Sequence, residues 1–451
     1  KKRCRARCPR EEHMTHTVGN STTNLSRCDV LVIGGGPAGS AVSALLAEQG
    51  WRVEVLEKDR HPRFHIGESL LPQTLPMLER LGVLAEVEKI GLRKYGAELV
   101  SHDRSRTVYF GRALGGARPY AYQVRRADFD RILFENCAAK GARTHTGVRA
   151  RQVEFRPGRT SLVHAHDGQG QARTWEARFV VDATGRDTFL SGQLGGKRRN
   201  PHHNSAAIFS HFEGVRRLGG RDEGNISIAW FEHGWFWVIP FKDGITSVGA
   251  VCWPAYLRGR QTDPDQFLWD TIALCPPLAE RMQHAKLAMP AHATGNYSYQ
   301  RATMRGEGYI MVGDAFAFID PVFSSGVHLA LNSATLGARA VDAYLRASPE
   351  YPAQLRTFER SVRCGVGTFS WFIYRFTQPA FRELFMSSNS IFKMEEAVLS
   401  ILAGDVFQNR RAALPILLFK LSYYLVSLKD IRRNWAAFRQ RMEGVPAPKT
   451  A

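Results

Sequence analysis

Trp235 and Trp237 stand two residues apart in Trp-Phe-Trp-Val-Ile-Pro at 235–240, a spacing that in a strand sets both indoles on one face. Taken alone, such a pair is an aromatic core strand. A second group with chemistry in it lies near the start, where an apolar run at 29–33 breaks into Gly34-Gly35-Gly36-Pro37-Ala38-Gly39 and Ala41, Leu45, Leu46 and Ala47 then recur at helical spacing. The next apolar run, 52–56, ends at Glu57. Strand, glycine turn, helix, strand and acid form the βαβ dinucleotide fingerprint. The glycines let the backbone approach a pyrophosphate, the helix N-terminus faces it with free N–H groups, and Glu57 can accept hydrogen bonds from a ribose.

The elements that must position these residues follow from the segments between them. Residues 148–155, 161–166 and 173–181 read as strands, with Pro157-Gly158 and Asp167-Gly168 as turns, and this meander returns to the nucleotide-binding sheet at Asp182-Ala183-Thr184-Gly185. Residues 205–253 again read as strands, and predict a separate sheet in a substrate domain inserted at about 195–296. A buried-type strand at 309–312 ends in Gly313-Asp314, and after Pro321 a helix opens at Gly326. From 346 to 446 the chain reads as mainly helical. The expected fold is α/β: a three-layer, Rossmann-like nucleotide-binding domain over 29–345, the separate β-sheet substrate domain, and a helical C-terminal region.

The 451 residues exceed one ordinary core, and 44% hydrophobic with 23% charged residues is globular composition. Seven scattered cysteines without a C-x-x-C pair argue against a disulfide framework or a zinc site, and point to a reducing cytoplasm. The formal charge of +19 favours acidic partners, but no run interleaves Lys/Arg with aromatics as nucleic-acid binding requires. Residues 1–28 are expected to be a disordered or non-native leader without a signal peptide, and the apolar stretch 412–428, which contains Pro415 and Lys420, to fall short of a bilayer span.

Four further segments resemble the aromatic-hydroxylase type of flavoprotein: Gly67-Glu68-Ser69, Tyr122-Gln123-Val124 with Arg126 and Phe129-Asp130, Asp182-Ala183-Thr184-Gly185, and Gly313-Asp314 through Pro321. Lys94 in Gly-Leu-Arg-Lys-Tyr-Gly at 91–96, the W-x-W-x-I-P segment, Asp-Pro-Val-Phe-Ser-Ser-Gly at 320–326 and the stretch 397–407 narrow the resemblance to the flavin-dependent halogenases. Within that family the chain is most similar to the branch acting on carrier-bound substrates, over residues 29–410.

The resemblance implies FAD held at Gly34, Gly36, Pro37, Ala38, Gly39, Glu57 and Lys58, at Glu68, Ser69, Gln123 and Arg126, at Ala183 and Gly185, and at Asp314, Pro321, Gly326 and Val327. It implies chloride or bromide at Ser325 and Gly326, no metal, reduced FAD from a separate flavin reductase, and an electron-rich aromatic substrate on an acyl or peptidyl carrier protein. Lys94 would be the catalytic residue, presenting hypochlorous acid to the ring by hydrogen bonding or as a chloramine, since a partly buried amine is both nucleophile and donor. Trp235 and Trp237 would screen the organic substrate from the flavin while a small oxidant passes. Tryptophan halogenases carry a glutamate where this chain has Phe323, so Lys94 receives no carboxylate partner from that position.

Other classes share some of these features. An aromatic hydroxylase or a reductase of isoprenoid double bonds has the same glycine turn and Gly-Asp segment, and chloride dependence of product mass separates them. A flavin-binding sensor or membrane-docked protein without turnover would use the apolar, basic stretch 412–441, and predicts FAD binding without chlorinated product.

Overall fold

A computed structural model describes residues 25–101, 104–200, 205–295, 298–386, 393–407, 410–429, 431–432, 435 and 439. Its first sheet is built on Leu25–Ile33, whose inner half is apolar and fully buried. This strand runs parallel to Val53–Glu57 on one side and Ala172–Asp182 on the other, with Val32 opposite both Val55 and Val181. Arg143–Thr146 and Tyr309–Met311 extend the sheet in parallel, and the antiparallel hairpin of Arg149–Glu154 and Ser161–His166 pairs onto Ala172–Asp182. The strand begins four residues before the expected start, since Leu25 to Cys28 pair with Thr174 to Ala177. Residues 25–28 therefore belong to the sheet and not to a leader; residues 1–24 lie outside the described residues.

Pro37–Glu48 packs against this sheet and between two further helices, Arg126–Ala139 and Ser325–Leu345. The Pro37–Glu48 helix is so close to the preceding turn that a Cβ on Gly39 would fall 1.8 Å from the Gly34 carbonyl oxygen. Gly34 itself sits at φ +105°, a conformation that glycine adopts without the Cβ penalty. The turn at 34–39 is thus fixed by two separate steric demands.

The second sheet runs in the order Lys286–Leu287, Ala206–Glu213, Thr246–Cys252, Gly234–Pro240, Ile226–Phe231, Gly96–Val100 and Ser105–Tyr109. Its last two strands come from far upstream of 195, and Gly96–Val100 joins in parallel to Ile226–Phe231. Alternation along Gly234–Pro240 divides its side chains between two cores. Trp235, Trp237 and Ile239 join the main core with the first sheet, while Phe236 and Val238 pack with Phe267 and Leu268 of the Pro264–Ala273 helix. The aromatic strand is therefore the wall between the two parts of the molecule.

The C-terminal region is helical, as expected, with Tyr351–Ile373, Pro379–Met386, Met394–Leu402 and Arg410–Lys429. One outcome departs from the sequence reading. Lys420 and Pro415 do not interrupt the last helix, so Arg411–Lys429, with a mean hydropathy of 1.3, is long and apolar enough to cross a membrane by length and composition. Cys28, Cys137, Cys252 and Cys275 are buried free thiols and Cys364 is exposed; Cys4 and Cys8 lie outside the described residues.

Candidate functional site

A cavity of about 710 Å³ lies between the sheets, a size suited to a cofactor. Gly34, Gly36, Pro37 and Ala38 form one end, and Glu57, Lys58, Ala183, Gly185 and Asp314 the sides. Glu57 is buried and its carboxylate ties the turn together, accepting from Gly35 N at 2.7 Å and Asp59 N at 2.9 Å. A Cβ on Gly36 would meet nothing closer than Arg63 Nη2 at 3.5 Å, and one on Gly185 would meet nothing within 4 Å. The backbone here is bare toward the cavity, which is what close approach of a pyrophosphate needs. Arg63 lines the same end, 3.8 Å from Glu57 and 3.7 Å from Asp130, and its buried Nε has no hydrogen-bond partner.

Asp314 stands half-buried on the cavity side with no hydrogen bond to its carboxylate among the described residues. Burial pushes its pKa up to about 6, with Arg126 and Arg186 pulling the other way. An acceptor left open in this way fits the hydroxyls of a ribose or ribityl chain. Nearby, the 21-residue helix Ser325–Leu345 starts without a side-chain cap, Ser324 at φ +54° turning the chain into it. Its free first-turn amides, with Gly326 and Val327 on the wall, face the cavity and favour an electron-rich ring or a small anion. Bare glycine turn, open carboxylate, an arginine with one buried donor unfilled, and uncapped helix end all suit FAD.

The opposite wall carries Trp235 and Trp237, ring centroids 6.0 Å apart. Trp237 lies over Gly249 of the neighbouring strand, where a Cβ would sit 2.3 Å from its ring. Its indole N–H donates to Ser247 Oγ at 3.1 Å, Ser247 Oγ donates to Glu68 Oε2 at 3.1 Å, and Glu68 Oε1 lies 2.9 Å from His211 Nε2. Glu68 thus faces the cavity while its carboxylate orients the tryptophan wall.

Ser69 also lines the cavity, and beyond it lies Lys94. Lys94 ends the short strand Leu92–Lys94, is 1% exposed, and donates from Nζ to Ser69 Oγ at 2.6 Å. Phe110 packs 5.4 Å from the amine. Burial without a compensating carboxylate lowers its pKa to about 7, so much of the amine is neutral near physiological pH.

Most residues singled out in the sequence meet at this cavity; four do not line it. Gly39 serves helix packing behind the turn. Gln123 is buried, donates to the Gly224 carbonyl at 3.0 Å and pairs with Ser69 through the backbone. Ser325 is buried behind the helix end, and Ser324 takes its place on the wall. Lys94 is separated from the cavity by Ser69. Arg126 is at the wall but fully engaged, gripping Asp130 at 2.7 and 2.9 Å and the Ile66 carbonyl at 2.8 Å, and so holds the loop before Gly67. Arg63, His65 and Ser324 were not identified from sequence. For Arg63 the only available signal was a lone basic residue between the acid-ended strand and Gly67-Glu68-Ser69.

Fold and cavity together define an FAD-dependent flavoprotein, and a family described as FAD binding domain matches residues 27–357. The chain belongs to the flavin-dependent halogenases. It is 30% identical to a 1H-pyrrole-2-carbonyl-[peptidyl-carrier protein] chlorinase of Pseudomonas fluorescens, over 85% of this chain and 90% of that one. It is 32% identical to a flavin-dependent halogenase of Penicillium aethiopicum, over 76% of this chain and 69% of that one. Among solved structures, a myxobacterial chondrochloren halogenase superposes with a TM-score of 0.75 at 32% identity, covering 86% of this chain and 91% of that one. A flavoprotein/dehydrogenase from Cytophaga hutchinsonii gives 0.82 at 27% identity, covering 90% and 100%. FAD is the cofactor, a halide the co-substrate, and halogenation of an aromatic compound the reaction class.

Proposed function

We propose that the substrate is an aromatic acyl group, phenolic or pyrrolic, held as a thioester on an acyl or peptidyl carrier protein, and that Lys94 delivers the oxidised halogen to it. Reduced FAD, supplied by a separate flavin reductase, provides the oxygen activation that oxidises the halide. The observation that carries the reading is the place of Lys94, a buried amine held at 2.6 Å by a serine that lines the cofactor cavity. A small neutral oxidant leaving the cavity past Ser69 meets an amine able to bind it as nucleophile when neutral or as donor when charged. Trp235 and Trp237 keep a ring-sized molecule on the far side. The amides of Gly326 and Val327 offer the halide its positive helix end.

The carrier rests on two supports: the Pseudomonas fluorescens relative is named for a carrier-bound substrate, and the basic chain suits an acidic partner. Buried free thiols agree with a reducing compartment.

Lys94→Ala tests the delivery step. Chlorinated product should fall by about a hundredfold or more, the usual contribution of one positioned catalytic group. Reoxidation of reduced FAD by oxygen, followed by absorbance, should stay at the parent rate. Product at the parent level would remove Lys94 from the mechanism, and loss of both half-reactions would place it in flavin binding.

A further inference from the structure

The last helix, Arg410–Lys429, is apolar on two opposite faces. One is explained. Ala412, Phe419 and Tyr423 are buried, with Phe419 ringed by Trp371, Phe372 and Phe381 at 5.6 to 6.4 Å and Tyr423 5.5 Å from Trp371. The other is not. Leu414, Leu417, Leu421, Leu425 and Leu428 follow one another at steps of three and four and are each more than half exposed. Ile431 and Trp435 continue the same spacing, also exposed. Tyr424, also exposed, lies on the same helix, and the other exposed large apolar side chains, Leu25, Phe64, Leu194 and Leu274, are scattered singly elsewhere among the described residues. A leucine ridge of about 20 Å on one helix is not a scatter of that kind.

Charge decides what covers it. From 406 to 439 the sequence holds one acidic residue, Asp430, against seven Lys/Arg. At 100° per residue Arg411 and Lys429 border the ridge on one side, with Arg432 and Arg439 beyond its end, while Lys420 on the other side is half-buried with its amine 5.0 Å from the Trp371 ring. A second copy of the chain would set these seven cations against their own images with one acid among them. A crossing helix would have to leave the aromatic seat that holds its inner face. What remains is a surface that accepts a convex apolar ridge, takes up basic side chains along one margin and beyond its end, and suits tyrosine and tryptophan at the boundary. Those are the properties of an anionic lipid headgroup layer meeting an interfacial helix.

We infer that the exposed face of the Arg410–Lys429 helix seats on an anionic phospholipid surface, with its leucines in the acyl boundary and its basic margin at the headgroups. The molecule lies on the bilayer through this helix and does not span it. This attachment is independent of how halogenation proceeds, because none of the ridge residues lines the FAD cavity or contacts Lys94.

The test is flotation of the FAD-loaded full chain with vesicles of phosphatidylcholine, alone or mixed with phosphatidylglycerol. The parent protein should float with the mixed vesicles and not with phosphatidylcholine alone, and added salt should weaken the binding. Leu421→Glu/Leu425→Glu should lower binding about tenfold or more by removing the apolar part of the contact, and Lys429→Glu/Arg432→Glu should abolish the preference for phosphatidylglycerol. FAD content and melting temperature of each variant establish that it has folded. No flotation of the parent protein, or equal flotation of parent and leucine variants, overturns the inference. So does a stable dimer in light scattering that the leucine pair dissociates, or an acidic carrier protein captured through the same leucines in the absence of any vesicle affinity.

Discussion

Two residues of the site have a pH dependence that follows from their surroundings. The Lys94 amine titrates at about 7 in the fold because burial disfavours its charge, against about 10.5 in the unfolded chain. The cost of burying that charge is complete below pH 7 and gone above 10.5, so its drag on stability lessens as pH rises between the two. Lys94→Met should therefore stabilise the protein most at pH 7 or below, by roughly several kcal/mol at 1.4 per pKa unit, and not at all near pH 10.5. Denaturant melts at both pH values measure this. If the neutral amine is the form that takes up the oxidant, halogenation should also rise through pH 7 while flavin reoxidation does not.

Asp314 has the opposite sign. Its folded pKa of about 6 lies above its ordinary value of 3.8, so the apo protein loses stability as pH rises from about 4 to 6, where the carboxylate is forced to ionise. Asp314→Asn should then raise the apo melting temperature at pH 7 and leave it unchanged at pH 4. The same variant should weaken FAD binding about tenfold to a hundredfold, the worth of a hydrogen bond to a charged acceptor. Parent FAD affinity should fall as pH drops through 6. Calorimetric titration of the apo protein at pH 5 and 7 measures both effects, and equal affinity at the two values would take Asp314 out of the cofactor site.

At the scale of the elements, the glycine turn separates two functions that a motif joins. Gly36→Val projects a side chain into open cavity, meeting only Arg63, so the variant should fold normally and lose FAD. Gly39→Val has no such room: its Cβ would lie 1.8 Å from a backbone oxygen, and the cost appears as lost soluble protein before any question of cofactor arises. Soluble yield and flavin absorbance of the two variants read the difference. Both glycines were legible because the βαβ pattern is local, held within 29–57. The tryptophan strand was legible as a strand for the same reason, through its period of two. Its partners were not. Glu68, His211 and Ser247 are spread over 180 positions and converge on Trp237 only when the second sheet is placed against the cavity. Nor could the sequence place Gly96–Val100 in that sheet, since a parallel edge strand from so far upstream leaves no local signal.

For the whole molecule, the sequence indicated the residue types around the cofactor but misplaced their depths. Ser325 and Ser324 are neighbours of the same type, and only the left-handed turn at Ser324 decides which one faces the cavity. Likewise Lys94, expected to be partly buried, is among the most deeply buried side chains because the Leu92–Lys94 strand turns it inward against Ser69 and Phe110. Net charge, by contrast, needs no placement, and it bears on the carrier. A basic enzyme meeting an acidic carrier gains chiefly in association rate, and salt screens that gain beyond a Debye length of about 8 Å at physiological ionic strength. The same aromatic acyl group should therefore be halogenated faster when tethered to its carrier than when offered as the free acid. Raising salt should slow the tethered reaction under kcat/KM conditions and leave the free one unchanged. Equal rates for the two forms, with salt affecting neither, would leave a halogenase of free small molecules on this same cavity, with Lys94 and the tryptophan wall keeping their proposed roles.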